Sequence, residues 1–182
     1  ELMYTYDRLF GQYNHTVAQM LLTWADFEHE NRRLNLHNTL ERLLELGAIP
    51  IINENDPISC EEYSLGDNDT LAALVAECIH ADLVILLSDI DGLYTADPHT
   101  HTDAKLIPVV EDITPEIDRL AGGAGSALGT GGMATKISAA RRATAAGVDL
   151  IIANGSRAEV LYDIMDGKAV GTRFVGKREG AQ

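Results

Sequence analysis

The sequence predicts an α/β protein of three layers, an α/β/α sandwich in which helices cover both faces of a mainly parallel central sheet. Strand-like and helix-like segments alternate along the chain, as expected when helices connect parallel strands. The segment Leu83–Leu87 is almost wholly aliphatic, as a parallel strand buried on both faces should be. In Leu71–Ile79 the apolar residues recur at the i, i+3, i+4, i+7 and i+8 spacing of one helical face.

The elements of the first part of the chain follow from local patterns. The opening helix places four apolar residues on one face: Leu2, Tyr6, Leu9 and Phe10. The apolar run Val17–Leu22 suits a buried strand. In Asn35–Leu46 the leucines lie on one helical face, and Gly47 is a natural C-terminal stop. Ile49–Ile52 is then the next predicted strand.

The remaining elements follow Leu83–Leu87. Lys105–Glu111 is predicted to be an edge strand, weakened by Pro108, which cannot donate a hydrogen bond to a neighbouring strand. Gly131–Ala146 is predicted to be helical after its glycines. Leu150–Ala153 is the next strand, and Ala158–Met165 is the last helix.

Composition restricts the class of protein. The 182 residues fit one compact domain spanning residues 1–182, and the formal net charge of -14 argues against a general nucleic-acid surface. The sequence contains no apolar run of the length that crosses a membrane. The first residues lack a charged-then-apolar export signal, which favours a cytoplasmic location. They also lack an initiator Met and a helix cap, so we expect a chain truncated within a larger domain.

The glycine-rich segment Gly129–Lys136 leads directly into a predicted helix. Glycines let the backbone approach an anion closely, and the N–H groups at a helix N-terminus point towards it. Lys136, expected to be a surface charge, would add a positive charge in the first turn. The segment is not a Walker A loop, because Ile137 stands where Ser or Thr is required. A dinucleotide fingerprint with Asp149 matches weakly, and a glycine-rich surface turn is the simplest alternative.

Three polar clusters lie where strands end or helices begin: Asn53–Asp56, Gly66–Asp69 and Ser88–Asp91. Ligands of open parallel sheets collect at the carboxyl ends of the strands. Asp69 alone is explained as a helix N-cap, but the number of neighbouring polar groups exceeds what capping requires. Asn and carboxylate oxygens at such positions could accept hydrogen bonds from a ligand ammonium group.

The cluster Ser88–Asp91, followed by Gly92, allows three interpretations. An Asp-Gly turn after a strand is the simplest. A nucleotide contact is the second. The third is the nucleophile loop of a haloacid-dehalogenase-type phosphatase, in which Asp89 would be the nucleophile. The histidines predict no metal site, since His99 and His101 have no accompanying Cys or carboxylate cage.

Four motifs together resemble those of the amino acid kinase family, in the branch that phosphorylates glutamate. They are Ile51–Asp56, Gly66–Asp69, Ser88–Pro98 and Gly129–Lys136, and they occur in the family's order. The similarity runs to about Val175. A single motif of this kind would be weak, whereas the ordered set is specific. The resemblance implies the three-layer fold of that family and a single kinase domain.

The resemblance implies ATP-dependent phosphorylation of the side-chain carboxylate of L-glutamate, with Mg²⁺ carried by the nucleotide and no separate metal site. The acyl phosphate so formed begins proline synthesis. Glutamate would be bound by Asp56 and Asn68, with Asn53, Glu54 and Asp67 nearby. ATP would be contacted by Ser88, Asp89, Thr130, Gly131, Gly132, Met133, Ala134, Thr135 and Lys136. Asp69 would organise the lysines around the transferring phosphoryl group, and Lys136 would be one of them.

The resemblance also implies parts that this sequence does not contain. The family carries an N-terminal strand and a glycine-rich loop with another phosphate-contacting lysine, so the fragment by itself is expected to be inactive. Many relatives carry a C-terminal RNA-binding-like PUA domain, and we expect none within residues 1–182. The family further suggests a homo-oligomer that proline inhibits. Three rivals stay open: another amino acid kinase such as an acetylglutamate kinase, the phosphatase, and a non-catalytic binding module.

Overall fold

The computed structural model describes residues 1–59, 66–98, 100–122 and 132–178. The chain divides into two compact units, Glu1–Leu71 and Ala72–Gln182, which are described in turn. The elements are α1 (Leu2–Gly11), β1 (Thr16–Leu22), α2 (Trp24–Glu28), α3 (Glu30–Glu45), β2 (Ala48–Glu54), α4 (Asn68–Cys78), β3 (Leu83–Ser88), β4 (Val109–Val110), α5 (Pro115–Ala121), α6 (Met133–Ala145), β5 (Asp149–Asn154), α7 (Val160–Met165) and β6 (Thr172–Phe174).

The first unit is built around a parallel pair of strands. β1 pairs with β2 from Thr16 opposite Ala48 to Leu22 opposite Glu54, so both strands end at the same edge. The two strands predicted from the sequence are confirmed, each slightly longer than its apolar run. The polar residues that follow β2 therefore lie at the carboxyl edge of this pair.

Helices complete the first unit. The predicted helix before β2 is confirmed as α3, which buries Leu36 and Leu40 and begins earlier than expected. Gly47 follows it with a φ of 71°, a left-handed conformation that glycine adopts without strain. α2 was not predicted, because five residues are too few to show a helical period. The Thr23 N–H donates to Asp26 Oδ2 at 2.7 Å and stabilises the start of that helix.

The second unit contains a four-stranded sheet in the order β3-β5-β6-β4. β3 and β5 are parallel, β4 and β6 are parallel, and β5 and β6 are antiparallel. The prediction of a mainly parallel sheet is confirmed. The antiparallel strand β6 was not predicted, because its three residues carry no period of their own.

Helices pack against both faces of this sheet. On one face Val84 and Leu86 of β3 belong to the main core, together with small buried residues of α6 such as Ala140 and Ala143. The alternate β3 residues face a second cluster, which contains Val160 and Ile164 of α7. Successive strand residues point to opposite faces, so this division establishes the predicted layers: helix, sheet, helix.

Two sequence expectations need correction in this unit, and one helix was not expected. Leu87 is 48% exposed, so β3 is not buried on both faces along its whole length. The predicted strand Lys105–Glu111 is reduced to β4, although β4 does lie at the edge of its sheet. α5 was not predicted. It begins with Pro115 at its first position, and the Ile117 N–H donates to the Thr114 hydroxyl oxygen.

Candidate functional site

The carboxyl ends of β3 and β5 lie side by side in the second unit. Ser88 is paired in register with Asn154, and the Gly155 N–H donates to the Ser88 carbonyl at 2.8 Å. The Ser88 hydroxyl donates to Asp89 Oδ1 at 3.1 Å, and Asp89 is exposed. The structure therefore places these two predicted nucleotide-binding residues at the strand ends, where ligands of such sheets bind.

A hydrogen-bonded chain beside Ser88 was not predicted from the sequence. The Tyr94 hydroxyl donates to Asp91 Oδ2 at 2.9 Å, and Asn154 Nδ2 donates to Asp91 Oδ1 at 2.9 Å. The hydrogen bond to Asp91 raises the pKa of Tyr94, and burial and the negative charge of Asp91 act in the same direction. Asn154 could have been found from the sequence, because it directly follows the apolar run Leu150–Ala153, as Ser88 follows Leu83–Leu87.

Gly92 fixes the loop that follows β3. Its φ is 154°, and a Cβ on it would lie 2.5 Å from the Oγ1 of Thr172. Thr172 is fully buried; its Oγ1 accepts the Leu93 N–H at 2.8 Å and donates to the Ile107 carbonyl at 2.6 Å. The Asp-Gly sequence therefore does more than turn the chain, because it lets this loop pack directly on β6.

The first turn of α6 carries Lys136. Gly132 is the N-cap residue, and the Thr135 hydroxyl donates to the Gly132 carbonyl at 2.7 Å. The first N–H groups of any helix have no acceptor within the helix, so Met133 and Ala134 provide the donors expected of an anion site. Lys136 is 7% exposed, which corrects the expectation of a surface charge. The predicted ATP-binding residues Thr130 and Gly131 lie outside the described residues.

In the first unit, Asn53 and Glu54 end β2. The Asn55 N–H donates to the Leu22 carbonyl at 2.7 Å, which ties the segment after β2 to the end of β1. Glu54 Oε1 accepts the Ser59 hydroxyl at 2.6 Å, whereas Asn53 and Asp56 are exposed. The predicted glutamate-binding residues of this segment therefore lie at the carboxyl edge of the β1–β2 pair.

The start of α4 shows which of its polar residues caps the helix. Asp67 Oδ1 accepts the Thr70 N–H at 2.7 Å, and Asp67 Oδ2 accepts the Thr70 hydroxyl at 3.0 Å. Asp67 is therefore the capping residue, and the suggestion that Asp69 is the N-cap was wrong. Asp69 is half-buried in the first turn, next to the exposed Asn68.

Asp149 has a structural role instead of the ribose-binding role that the dinucleotide alternative would need. It begins β5 and accepts hydrogen bonds from Arg173 Nε at 3.0 Å and from the Gly176 N–H at 2.8 Å. Burial by itself raises the pKa of Asp149, but these hydrogen bonds and the positive charges of Arg173 and Arg178 hold it below its usual value. Asp149 lies at the amino end of β5, away from Asn154.

Two other features are absent from the part of the chain that the structure describes. No group of three or more His, Cys, Asp or Glu side chains there is arranged to hold a metal ion. None of the described helices is both long enough and apolar enough to span a membrane.

Comparison with known proteins identifies close sequence relatives. Residues 1–154 match the sequence model of the Amino acid kinase family. The glutamate 5-kinase of Clostridium perfringens is 52% identical over 181 residues, covering 97% of this chain and 67% of the relative. The glutamate 5-kinase of Deinococcus radiodurans is 54% identical over 175 residues, covering 96% of this chain and 48% of the relative. The chain thus spans between about half and two thirds of the length of these relatives.

Solved structures with the same fold are more distant in sequence. An isopentenyl phosphate kinase of T. acidophilum is 18% identical with a TM-score of 0.60, covering 90% of this chain and 61% of that one. The UMP kinase of Bacillus anthracis is 17% identical with a TM-score of 0.62, covering 93% of this chain and 62% of that one. These two structures share the fold of this chain, whereas its family is established by the sequence relatives. The chain therefore belongs to the amino acid kinase family and groups with its glutamate 5-kinases.

Proposed function

We propose that this protein takes part in the ATP-dependent phosphorylation of the side-chain carboxylate of L-glutamate, which yields glutamyl 5-phosphate and ADP. The observation that carries the proposal is sequence similarity to glutamate 5-kinases. The similarity covers nearly the whole chain, and about half of the aligned residues are identical. The geometry supports it, because the motif residues lie at strand ends and helix starts. We further infer, on the family resemblance alone, a homo-oligomeric enzyme of the cytoplasm that proline inhibits.

The first unit is assigned to glutamate. Asp56 and Asn68, both exposed, would bind the substrate, with Asn53, Glu54 and Asp67 nearby. A carboxylate attracts the α-ammonium group of glutamate, and an amide can both donate and accept hydrogen bonds. Since Asp67 also caps α4, we assign it to holding the helix start in place, next to the substrate contacts.

The second unit is assigned to ATP. Ser88 and Asp89 would contact the nucleotide at the end of β3. The start of α6 would bind its phosphates through backbone N–H groups and Lys136, together with Thr130 and Gly131. A positive group next to the β–γ bridging oxygen stabilises the charge that develops there as the bond breaks.

The chemistry needs positioning and positive charge more than proton transfer. A glutamate side chain has a reference pKa of about 4.3, so at neutral pH the attacking oxygen is already an anion. That oxygen forms a bond to the γ-phosphorus while the bond to the β–γ bridging oxygen breaks, and no proton moves. Asp69 is therefore proposed to organise the lysines that surround the transferring phosphoryl group, and Lys136 to stabilise that group.

Mg²⁺ is proposed to enter with the nucleotide. This ion usually keeps several waters and is held by substrate phosphates together with one or two carboxylates. The exposed carboxylate of Asp89, which is proposed to contact the nucleotide, provides hard oxygen atoms of the kind that it prefers. When bound, the ion would offset the negative charge of the phosphates.

The test is an assay of the protein expressed from its complete reading frame. ATP consumption is measured with and without glutamate, and hydroxylamine is added to trap the acyl phosphate as a hydroxamate. We expect hydroxamate formation that requires ATP, Mg²⁺ and glutamate together.

Each rival function predicts a different result in this assay. Turnover with N-acetylglutamate but not with glutamate would make the protein an acetylglutamate kinase. A phosphorylated Asp89 trapped from a phosphate ester in the absence of ATP would indicate the phosphatase. If the protein binds ATP or glutamate but converts neither, it is a non-catalytic binding module.

A further inference from the structure

The hydrogen-bonded chain Tyr94–Asp91–Asn154 joins two loops of the second unit. Asp91 and Tyr94 belong to the loop after β3, which also carries Asp89, whereas Asn154 ends β5. Both oxygens of the Asp91 carboxylate are occupied, one by Tyr94 and the other by Asn154, each at 2.9 Å. The conformation of the loop after β3 is therefore linked to the end of β5.

The orientation of the Asn154 amide is determined by a second contact. Its Oδ1 accepts the backbone N–H of Ser156 at 2.9 Å. An amide oxygen can only accept hydrogen bonds, so the NH₂ group must be the part that faces Asp91. Asparagine at this position supplies both an acceptor for its own loop and a donor for the carboxylate opposite, which aspartate cannot do when it is ionised.

The loop after β3 is also held from its other end. The Leu93 N–H donates to the buried Thr172 hydroxyl, which fixes the chain directly after Gly92. Asn154 and Thr172 thus hold the two sides of a short segment, Asp91–Leu93. Ser88, at the start of the loop, is fixed by the Gly155 N–H, which directly follows Asn154.

We propose that Asn154 is a positioning residue for nucleotide binding: it acts through Asp91 to hold the loop that follows Ser88 and carries Asp89. This inference rests on the proposed function, because it requires that loop to contact ATP. Asn154 itself need not touch the nucleotide. Its effect is to keep the loop in a single conformation, so that binding does not have to order it.

The variant that tests this is Asn154→Asp. The substituted side chain has the same shape and keeps an acceptor for the Ser156 N–H, so the turn after β5 is preserved. Towards Asp91, however, it replaces a donor with a second carboxylate oxygen, and two carboxylates at this distance repel each other. Ser156→Ala is the matched control, because it lies in the same loop and keeps the backbone N–H that contacts Asn154.

The measurement is the Kd for ATP by calorimetry without glutamate, followed by the KM values for ATP and glutamate and the thermal midpoint. At about pH 8, we expect Asn154→Asp to raise the Kd and KM for ATP about tenfold, the equivalent of one charge-assisted hydrogen bond. The KM for glutamate and the thermal midpoint should stay near their wild-type values. Ser156→Ala should behave as wild type.

Lowering the pH provides a readout that a purely structural role would not affect. One proton shared between the two carboxyl groups of the variant restores a donor, so at about pH 5.5 its ATP affinity should recover part of the way towards wild type. Tyr94 is the titratable side chain that donates to Asp91 among the described residues, and it stays protonated in this range because its pKa lies above its usual value.

Several results would overturn the inference. It fails if Asn154→Asp binds ATP as wild type does, or if the KM values for both substrates rise equally while the thermal midpoint falls. It also fails if the loss of ATP affinity is the same at both pH values. If the wild-type protein binds no ATP, the proposed function fails first and the inference with it, so the two failures are distinguishable.

Discussion

At the scale of single residues, the burial of Lys136 decides how its role can be tested. The side chain lies in the first turn of α6, is 7% exposed, and is followed by the buried Ile137. Its aliphatic stem is therefore part of the packing, so alanine at this position would remove both the charge and buried volume. Methionine has a similar volume and no charge, and isolates the contribution of the ammonium group.

We predict that Lys136→Met lowers kcat about 100-fold or more, the usual effect of removing one group that stabilises transition-state charge. The thermal midpoint should stay close to that of wild type. The measurement is hydroxamate formation at saturating ATP and glutamate, combined with thermal unfolding.

A control variant tests whether the loss of any positive charge from this unit would lower kcat. Lys105→Met removes one exposed positive charge from the same unit and should leave kcat unchanged. If Lys136→Met keeps near-normal turnover, or if both variants lose it equally, Lys136 does not have the proposed role.

The start of α4 shows where residue-level reasoning from sequence reaches its limit. Three consecutive polar residues, Asp67, Asn68 and Asp69, are each compatible with a helix N-terminus. The sequence indicates that one of them caps the helix and that the others are available for other contacts. Which residue caps depends on where the backbone becomes helical, and that is visible only in the contact between Thr70 and Asp67.

At the scale of elements, β6 depends on a glycine that precedes it. Gly171 has a φ of 69°, and a Cβ there would overlap the backbone carbonyl oxygen of Ile152. Since β6 runs antiparallel to β5, with Thr172 opposite Ile152, this close approach brings the two strands into register. Gly167, four residues earlier, has a φ of 76° but open space where its Cβ would be.

We predict that Gly171→Ala destabilises the protein by about 4 kcal/mol, from the combined cost of a left-handed alanine and of overlap with a backbone atom that cannot move away. Gly167→Ala should cost only about 1 kcal/mol, because its backbone conformation is similar and nothing obstructs the methyl group. Urea unfolding of both variants measures the difference. Equal losses of stability would show that the close approach to Ile152 is unimportant.

At the scale of the whole molecule, pH acts through two opposing effects. With a net charge of -14, the negatively charged side chains of the folded protein repel one another, which lowers its stability. This repulsion weakens as carboxylates are protonated. In contrast, the ion pair of Asp149 with Arg173 loses its contribution in acid. Asp149 is largely buried while the Arg173 side chain is 52% exposed, so solvent reduces the strength of the pair.

We predict that Asp149→Asn lowers the free energy of unfolding by about 2 kcal/mol at neutral pH, because a buried hydrogen-bonded charge is removed. The folded-state pKa of Asp149 lies below its unfolded value of about 3.9. Its contribution is therefore complete above about pH 5 and is lost progressively as the pH falls through the unfolded and then the folded pKa.

The measurement is chemical unfolding of wild type and variant from neutral pH downwards. The difference in the free energy of unfolding between the two proteins should be constant down to about pH 5 and then shrink. The effect of the net charge is nearly the same in both proteins and does not alter this trend. A difference that grows in acid would contradict the assignment of Asp149 as a group stabilised in its ionised form.

The sequence by itself determined the alternation of strands and helices, the stop at Gly47, and the polar motifs that lead to the kinase family. These features depend on residues close together in the chain, so they can be recognised without coordinates. Only the tertiary structure decided the short strand β6, the burial of Lys136, and the contact of Asn154 with Asp91, 63 positions apart. Each of these depends on segments distant in sequence that meet only after the sheet has formed, which local pattern does not encode.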